Sequence, residues 1–399
     1  MLMVNKYDFS TIDYSGYYYN IHNVIDKYKD VLLYVIIGGR NTGKTFSTLV
    51  ECIRDKKVFA YLRRSIDDIK IITTRGKVST TKGGLKGIDV DTSPMKSVNR
   101  AVGSNIRCLP VENGLSVFME CDKDLSPLGQ PCGYAIALNA VGKIKGIDLS
   151  DVDVIIYDEF ASTLETKAYN EETSILELYK TITRDSVHKG KRVPIIALSN
   201  ASNINAPLIT AFALENDLVQ MIADGDEFKI IDRDGAKILV QLLQPNPDFL
   251  QEEHNSELYR ITKGTKWNAY AYGNEFAYND TSKVKGRDEF KSFISETIPL
   301  HKIDYLFNIA WDNKMYTMIE VQSLDSNQTD NSIFYLYENR KMVNPDIKIW
   351  NFNRESDRRL FYQTYNDTIT TAVEANVLYF ENYNMYEKLY WKEYLQKGT

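Results

Sequence analysis

Residues 38 to 45 constrain the fold of this chain more than any other segment. They match the pattern G-x-x-x-x-G-K-[ST] at every fixed position. An apolar run from Val31 to Ile37 precedes them, and a stretch that can be helical, from Phe46 to Arg54, follows. In this strand–loop–helix context, glycines let backbone N–H groups turn towards a polyphosphate at the N-terminus of the helix. The segment therefore predicts a nucleotide-binding α/β domain; a glycine turn that binds nothing is the alternative.

The residues expected to contact the nucleotide follow from this pattern. Lys44 would reach the β- and γ-phosphates, and the Thr45 hydroxyl would ligate Mg²⁺. The whole predicted loop consists of Gly38, Gly39, Arg40, Asn41, Thr42, Gly43, Lys44 and Thr45. ATP and Mg²⁺ are therefore the predicted cofactors.

A pair of adjacent acids supplies the second half of the predicted site. The apolar run from Val154 to Tyr157 ends in Asp158 and Glu159. Asp158 would hold Mg²⁺, directly or through water, and Glu159 would polarise the water that attacks the γ-phosphate. Such a string is common on its own, but the phosphate loop upstream strengthens it. Because kinases of small molecules need no water-activating glutamate, the pair favours an ATP hydrolase.

Four apolar runs in the first 210 residues each end in polar residues. The runs are Tyr34–Ile37, Val58–Leu62, Val154–Tyr157 and Ile195–Leu198, and they are followed by the phosphate loop, Arg63-Arg64, Asp158-Glu159 and Ser199-Asn200. Alternation with helical patterns predicts a parallel sheet. Since ligands of open α/β sheets bind outside the carboxyl ends of the strands, the four polar clusters predict one site.

Arginines are candidates for stabilising the charge that develops during phosphoryl transfer. Arg184 follows a helical pattern from Ser174 to Thr183 and is the first candidate for a residue that acts on a neighbouring subunit; a solvated arginine at a helix end is the alternative. Arg40, inside the loop, is a weaker candidate that would act within its own subunit. Arg63 and Arg64 could act at a subunit boundary.

One tyrosine and one residue pair have further predicted roles beside the nucleotide. Tyr18 lies in a run of three tyrosines upstream of the loop and could stack on adenine, although a hydrophobic contact with the sheet explains it equally well. Ser199 and Asn200 could sense the γ-phosphate, or they could simply cap a turn.

Composition narrows the class of protein. The net charge of −6 excludes a protein that coats DNA through its overall charge, so nucleic-acid contact needs a local patch. The segment from Lys70 to Arg107 is rich in Gly, Thr, Ser and Lys, and is expected to form long loops or a hairpin insertion. It has eight basic and two acidic residues, and Lys143 and Lys145 form a smaller patch. The four cysteines include no C-x-x-C and are expected to be reduced thiols. The chain has neither a signal-peptide pattern nor an apolar run of about 18 residues, so no membrane contact is expected.

Composition also suggests three domains: residues 1–245 as the P-loop ATPase domain, 246–290 as a linker or small linker domain, and 291–399 as a C-terminal domain. In the last of these, Tyr305–Trp311 and Met315–Val321 form a predicted hairpin and Ser332–Tyr337 a third strand. The tail Asn382–Leu395 is expected to be an amphipathic helix.

Taken together, the motifs resemble those of the DNA-packaging ATPases of small short-tailed phages (Picovirinae type), which are relatives of the large terminase motors. The resemblance depends on the segments Val35–Thr45, Phe59–Arg64, Gly133–Leu138, Val152–Phe160 and Ile196–Ala201. It implies a P-loop ATPase of the additional-strand, catalytic-glutamate class, with helices on both faces of a parallel sheet, followed by a smaller α+β RNase H-like domain without cutting activity.

The same resemblance implies a function. Lys44, Thr45, Asp158 and Glu159 would be site residues, with Arg184 as the arginine that acts on the neighbour. The chain would form a homo-oligomeric ring, with a pentamer as the expected form, on the portal of an empty capsid in the host cell cytoplasm. The ring would thread double-stranded DNA into that capsid, and a packaging RNA stays open as a further partner.

Two alternatives remain from the residues themselves. The chain could be a terminase proper, with an active nuclease in its C-terminal half; however, Asp312 falls in the hairpin turn, and Asp325, Asp330 and Asp367 follow without metal-ligand spacing. It could instead be a nucleotide-dependent switch or scaffold with little turnover.

Overall fold

The computed structural model describes two compact units, each considered separately below. The first comprises Met1–Leu214 and Gln220–Asn279, and the second comprises Glu215–Val219 and Asp280–Thr399. The residues described are 7–12, 16–73, 91–112, 114–144, 146–161, 171–184, 191–200, 204, 206–244, 246–265, 268, 283–311, 314–325, 332–339, 347–382, 385 and 386.

Nine strands of the described chain form one sheet in the first unit. They are β1 (Val31–Gly38), β2 (Phe59–Arg63), β3 (Ile106–Glu112), β4 (Leu115–Cys121), β5 (Pro127–Ala137), β6 (Val154–Asp158), β7 (Ile195–Ser199), β8 (Phe228–Arg233) and β9 (Ala236–Leu243). Their order is β3-β4-β5-β2-β6-β7-β1-β9-β8. Six neighbouring strands run parallel to one another: β5, β2, β6, β7, β1 and β9. Strands β3, β4 and β8 pair antiparallel with their neighbours. The central strands β6 and β7 are buried throughout, as continuous apolar runs predict.

The register of the central strands brings their carboxyl ends to one edge of the sheet. Leu62 of β2 is opposite Tyr157 of β6, so Arg63 and Asp158 follow side by side. Asp158 in turn is opposite Leu198 of β7, and Ser199 is opposite Ile37 of β1. The phosphate loop, the basic pair and the acidic pair therefore meet where the parallel strands end.

Short helices connect the strands of this unit. They are α1 (His22–Lys27), α2 (Lys44–Arg54), α3 (Ile66–Ile72), α4 (Met95–Val102), α5 (Val141–Ile144), α6 (Glu171–Thr183), α7 (Pro207–Ala211), α8 (Glu215–Asp224), α9 (Pro247–His254) and α10 (Glu257–Thr262). The first five residues of α8, Glu215–Val219, group with the second unit. Helix α2 starts directly after the left-handed Gly43, and its buried face, which includes Leu49 and Cys52, joins the core cluster that also contains Ile36 and Phe118. Among the described helices, none is both long and apolar enough to cross a membrane.

The second unit contains a five-stranded sheet within the described residues. Its strands are β10 (His301–Trp311), β11 (Lys314–Ser323), β12 (Ser332–Glu338), β13 (Ile349–Asn351) and β14 (Leu378–Phe380), in the order β13-β10-β11-β12-β14. Strands β10, β11 and β12 form an antiparallel meander, while β13 runs parallel to β10 and β14 parallel to β12. The helices α11 (Arg287–Thr297) and α12 (Glu355–Glu374) complete the unit.

Most predicted elements are present. The four apolar runs lie in β1, β2, β6 and β7, and the predicted hairpin is β10–β11. The expectation of loops or a hairpin between Lys70 and Arg107 is wrong for residues 95–102, which form α4. There Met95, Val98 and Val102 are buried at helical spacing, but polar neighbours obscure this short pattern.

Other predictions remain untested. The predicted linker, residues 246–290, is divided between the two units, since residues up to Asn279 group with the first. The division into three domains, the helices on both faces and the RNase H-like assignment stay predictions. Asp312, Asp330, Lys145 and most of the C-terminal tail lie outside the described residues.

Candidate functional site: a phosphate loop beside an acidic pair

The backbone of the predicted loop depends on its glycines. Gly43 has a φ of +87° and Asn41 a φ of +59°, both in the left-handed region that most side chains avoid. Gly38 is required for a different reason, because a Cβ there would lie 2.8 Å from the Cβ of Leu243 on β9. The glycines at both ends of the motif thus follow from conformation and from close packing.

Lys44 is folded into the loop that precedes it. Its Nζ donates hydrogen bonds to the carbonyl oxygens of Gly38 at 3.0 Å and Gly39 at 2.7 Å. It also donates to Thr42 Oγ1 at 3.1 Å and to Asn200 Oδ1 at 3.4 Å. Burial lowers the pKa of Lys44 to about 8, and the negative charge of Asp158 opposes this shift. The amine is therefore held at the centre of the loop, with Asn200 of the neighbouring strand end beside it.

Asp158, at the end of β6, contacts residues at the start of α2 and on β2. Its Oδ1 accepts a hydrogen bond from Thr45 Oγ1 at 3.0 Å, and its Oδ2 accepts one from the Tyr61 hydroxyl at 2.5 Å. Arg63 NH1 lies 3.7 Å from Asp158 Oδ2. Burial raises the pKa of the Asp158 carboxyl, whereas the hydrogen bond from Tyr61 and the charge of Arg63 oppose the rise. Thr45 and Asp158 together present a hydroxyl and a carboxylate, which are hard oxygen ligands suited to Mg²⁺.

Glu159 differs from its neighbour in conformation and exposure. Its φ of +55° turns the chain sharply at the end of β6. Its side chain is 61% exposed, compared with 10% for Asp158. Arg63 NH2 donates a hydrogen bond to Glu159 Oε2 at 2.7 Å. The glutamate is thus open to water but fixed in direction by an arginine of its own chain.

Arg64 points to a different partner. Its Nε donates to Glu171 Oε2 at 2.9 Å, and its NH2 donates to the Phe160 carbonyl at 2.9 Å. The Tyr157 hydroxyl donates to the other oxygen of Glu171. The expectation that Arg63 and Arg64 serve a subunit boundary therefore misses their contacts within the chain. The alternation of side chains along β2 separates the two arginines and could have indicated two environments.

Sequence reasoning also missed Tyr61 and Glu171. Tyr61 precedes Arg63 by two residues on β2, so both side chains face the same way, and this spacing is a usable signal. Glu171 has no comparable signal in the sequence. Ser199 Oγ accepts from the Ala161 N–H at 3.1 Å and donates to the Ala161 carbonyl at 3.2 Å, so it fixes the turn after Glu159.

Tyr18 lies beside the loop, in an aromatic cluster. Its Cβ is 3.2 Å from the position a Gly43 Cβ would occupy, and the Tyr19 N–H donates to the Thr42 carbonyl at 2.8 Å. The Tyr18 ring contacts Tyr17 edge-to-face at 4.8 Å between centroids, and Phe249 at 6.4 Å. Tyr18 is 46% exposed. The structure thus brings the tyrosine to the loop, while its contact with adenine stays a prediction.

The predicted arginines and basic patches are only partly in the site. Arg184 directly follows the last residue of α6 and is exposed, as is Arg40 in the loop. Within the predicted basic segment, Arg107 is largely buried and pairs with Asp91 at 3.2 Å, so it is not available to line a DNA channel. Residues 74–90 lie outside the described residues. Lys143, on α5, is exposed.

Comparison with known families adds to this geometry. The family model of the podovirus DNA encapsidation protein (Gp16) matches residues 128–366, more than half of the 399-residue chain. The chain belongs to the podovirus DNA encapsidation protein (Gp16) family. The matched range includes Asp158, Glu159 and Arg184 but begins after the phosphate loop, so the Gp16 match and the loop are independent observations. The resemblance to packaging proteins of small short-tailed phages is confirmed.

Solved structures of packaging motors share the fold. The Phi-28 gp11 DNA packaging motor is 16% identical, with a TM-score of 0.51 over 92% of this chain and 94% of that chain. The bacteriophage Phi-29 viral genome packaging motor assembly is 18% identical, with a TM-score of 0.52 over 94% of this chain and 98% of that chain. At this identity the likeness shows the fold alone, and it confirms the predicted α/β architecture with a parallel-rich sheet. No curated protein matches the sequence significantly.

Proposed function

We propose that this Gp16-family chain is an ATP-hydrolysing motor subunit that moves double-stranded viral DNA into a preformed capsid. One observation carries the proposal: the Thr45 hydroxyl contacts Asp158 at 3.0 Å, with Lys44 inside the loop and Glu159 next in sequence. Thr45, Asp158, Lys44 and Glu159 are residues that phosphoryl transfer to water would use, and their grouping at one edge of the sheet supports the proposal. Strand β7 lies between β1 and β6, which supports the additional-strand class of P-loop ATPases.

The residues of the loop would bind the triphosphate. The backbone N–H groups of the loop and the N-terminus of α2 favour negative charge, and Lys44 would exchange its loop carbonyls for phosphate oxygens. Thr45 and Asp158 would hold Mg²⁺, which neutralises charge on the β- and γ-phosphates when it is bound. Tyr61 would orient the Asp158 carboxylate, because its hydroxyl donates to the second oxygen.

Glu159 is the candidate general base. It is exposed, so a water molecule can reach its carboxylate, and the left-handed turn separates it from the buried Asp158. Arg63 contacts both acids and so fixes one relative to the other. Arg184, at the end of α6, is the residue we assign to the adjoining subunit's nucleotide.

The remaining parts of the proposal concern the assembly. The chain would work as a homo-oligomeric ring, with five subunits as the expected number, on the portal vertex of the procapsid in the host cytoplasm. The packaging motors whose fold it shares support this setting. Contacts with DNA would go to phosphates, since a motor must accept every sequence. A packaging RNA and an RNase H-like C-terminal domain without cutting activity belong to the same proposal.

Replacement of Glu159 tests the reaction directly. Glu159→Gln should retain ATP binding but lower hydrolysis by about 10²–10⁴-fold, the usual contribution of a general base. Binding would be measured with a fluorescent ATP analogue, and phosphate release with purified chain, capsids and DNA. Glu227→Gln, at an exposed acid in the same unit, is the matched control. Undiminished turnover of Glu159→Gln would remove this residue from its role.

The two alternatives give different results in the same preparations. An active terminase nuclease would cleave plasmid DNA in the presence of Mg²⁺ or Mn²⁺, and Asp312→Ala would abolish the cleavage. A nucleotide switch or scaffold would hydrolyse ATP slowly, with no stimulation by DNA or capsids. The motor proposal instead expects stimulation by both.

A further inference from the structure

A buried ion pair between Arg64 and Glu171 connects the end of β6 to α6, the helix that Arg184 follows. The Glu171 side chain is 1% exposed and that of Arg64 is 13% exposed. Arg64 is bonded at once to Glu171, the first residue of α6, and to the carbonyl of Phe160, which follows Glu159. The Tyr157 hydroxyl bonds the other Glu171 oxygen. The start of α6 is therefore fixed to the strand end that presents the acidic pair.

Because α6 is a packed and rigid helix, fixing its first residue also fixes the place of its C-terminal end. It spans Glu171–Thr183, and one face, Ile175, Leu178 and Ile182, is buried at 2% exposure or less. Thirteen residues at 1.5 Å per residue extend about 20 Å, so the two ends of the helix lie far apart on one rigid element. Arg184 immediately follows its C-terminal end.

Stability alone is a weak reason for such a pair. Desolvating two charges costs several kcal/mol per ion, and well-packed apolar residues of similar volume often replace a buried ion pair at no loss of stability. What the pair does provide is direction, because an arginine bonded to both a carboxylate and a carbonyl permits few arrangements. Arg63, the last residue of β2, bonds Glu159, and the next residue, Arg64, bonds Glu171, so two consecutive arginines connect the acidic pair to the start of α6.

From these contacts we infer that Arg64 and Glu171 are positioning residues: they set the place of α6 relative to the acidic strand end and thereby the place at which Arg184 meets the nucleotide of an adjoining subunit. This inference rests on the proposed function. It assigns no contact with the nucleotide to either residue. Displacements near 1 Å at a catalytic group can lower rates by about 10²-fold, so a small rotation of α6 is sufficient for a large effect.

The test compares Glu171→Gln, Arg184→Ala and the double variant in full-length chains assembled with capsids and DNA. Glu171→Gln keeps the shape of the side chain and removes its charge. We expect it to lower stimulated ATP turnover by about 10²-fold, while the affinity of the unassembled chain for a fluorescent ATP analogue is unchanged. The double variant should be no slower than Arg184→Ala alone, because both changes affect one function. Arg64→Lys serves as a second variant if Glu171→Gln fails to fold, as judged by circular dichroism.

The matched control is Glu355→Gln, which breaks an ion pair with Arg359 that is largely exposed. It should leave stimulated turnover unchanged. Independent, additive losses in the double variant would overturn the inference, as would loss of nucleotide affinity in the unassembled Glu171→Gln chain or full turnover of the assembled one. Should Arg184→Ala itself keep full activity, the role of Arg184 fails and the positioning role with it. Lys44→Ala then distinguishes this result from failure of the motor proposal, since only a motor dependent on the loop loses activity with Lys44.

Discussion

The carboxyl-end edge of the first sheet and the interior of the second unit are stabilised by different interactions. At the first, the charged residues Lys44, Asp158 and Glu171 are buried together. In the second, aromatic rings dominate, as in Phe290, which is stacked on Tyr335 with 3.8 Å between centroids and 6° between planes. Buried charges are costly to desolvate, whereas buried rings contribute through apolar area.

This difference separates residues placed for chemistry from residues placed for packing. Around Asp158, hydrogen bonds from Thr45 and Tyr61 satisfy a carboxylate that burial disfavours. Around β10, Phe307 packs edge-to-face on Phe361 of α12 at 4.8 Å, and Trp350 packs on the same ring at 5.6 Å. Substitutions in the first region should therefore change ligand binding and rates, and those in the second should change the temperature at which the unit unfolds.

The largest expected effect is at Lys44. Lys44→Ala should abolish detectable ATP binding and lower kcat/KM by about 10³-fold or more, because it removes the charge that we propose meets the phosphates. Equilibrium binding of a fluorescent ATP analogue and steady-state hydrolysis are the measurements. Lys57→Ala, which removes a partly exposed lysine paired with Asp55, should bind ATP normally. Normal binding by Lys44→Ala would place the nucleotide elsewhere.

Phe290 tests the other side of the comparison. Phe290→Ala should destabilise the second unit by about 3–5 kcal/mol, the usual cost of deleting a buried phenylalanine ring. Differential scanning calorimetry should show one unfolding transition displaced to lower temperature, with ATP affinity unchanged below it. The control is Leu324→Ala, since Leu324 is 62% exposed and should have little effect. A loss of ATP affinity in folded Phe290→Ala would end the separation between packing and chemistry.

A smaller effect, expressed in pH, is expected at Tyr61. Its hydroxyl bonds the charged form of Asp158 and so lowers the pKa of a carboxyl that burial raises. Tyr61→Phe should raise that pKa further, so the carboxylate that we propose for Mg²⁺ binding is lost at a higher pH as acid is added. A hydrogen bond to a charged group contributes about 1.5–3 kcal/mol, so its loss should be visible in the pH profile.

The measurement is the pH dependence of ATP hydrolysis at several Mg²⁺ concentrations. The acidic limb of the Tyr61→Phe profile should move towards neutral pH, and excess Mg²⁺ should partly restore activity there. Tyr34→Phe is the control, because the Tyr34 hydroxyl bonds the Tyr28 carbonyl instead of an acid. Superimposable profiles for Tyr61→Phe and the unmodified chain would show that Tyr61 does not tune Asp158.

The sequence predicted those parts of the candidate site whose geometry depends on a short local pattern. The loop glycines, Lys44 and the acidic pair all follow from short motifs and from the rule that parallel strands end at one edge. Glu171 could not be found this way, because its partner Arg64 is 107 residues away and the contact depends on where α6 begins. Likewise, no local pattern indicates that Leu243 faces Gly38.

The number of basic residues in a segment was a poorer guide to their place in the fold than the periodicity of apolar residues was to the strands. Arg107 contributes to the basic segment in sequence, yet in the fold it pairs with Asp91 and is largely buried. The short helix α4 was missed because three apolar residues among polar ones give little periodic signal. In both cases tertiary contacts decide the outcome, and composition contains no information about them.

The contact between Gly38 and Leu243 has a consequence for fragment design. The loop rests on a residue 205 positions further along the chain, supplied by the parallel pairing of β1 with β9. A shortened chain that ends near Pro207 would retain every predicted nucleotide-binding motif but would lack Leu243, against which Gly38 packs. Among natural relatives, the volumes at these two positions should covary, with bulk at one excluding bulk at the other.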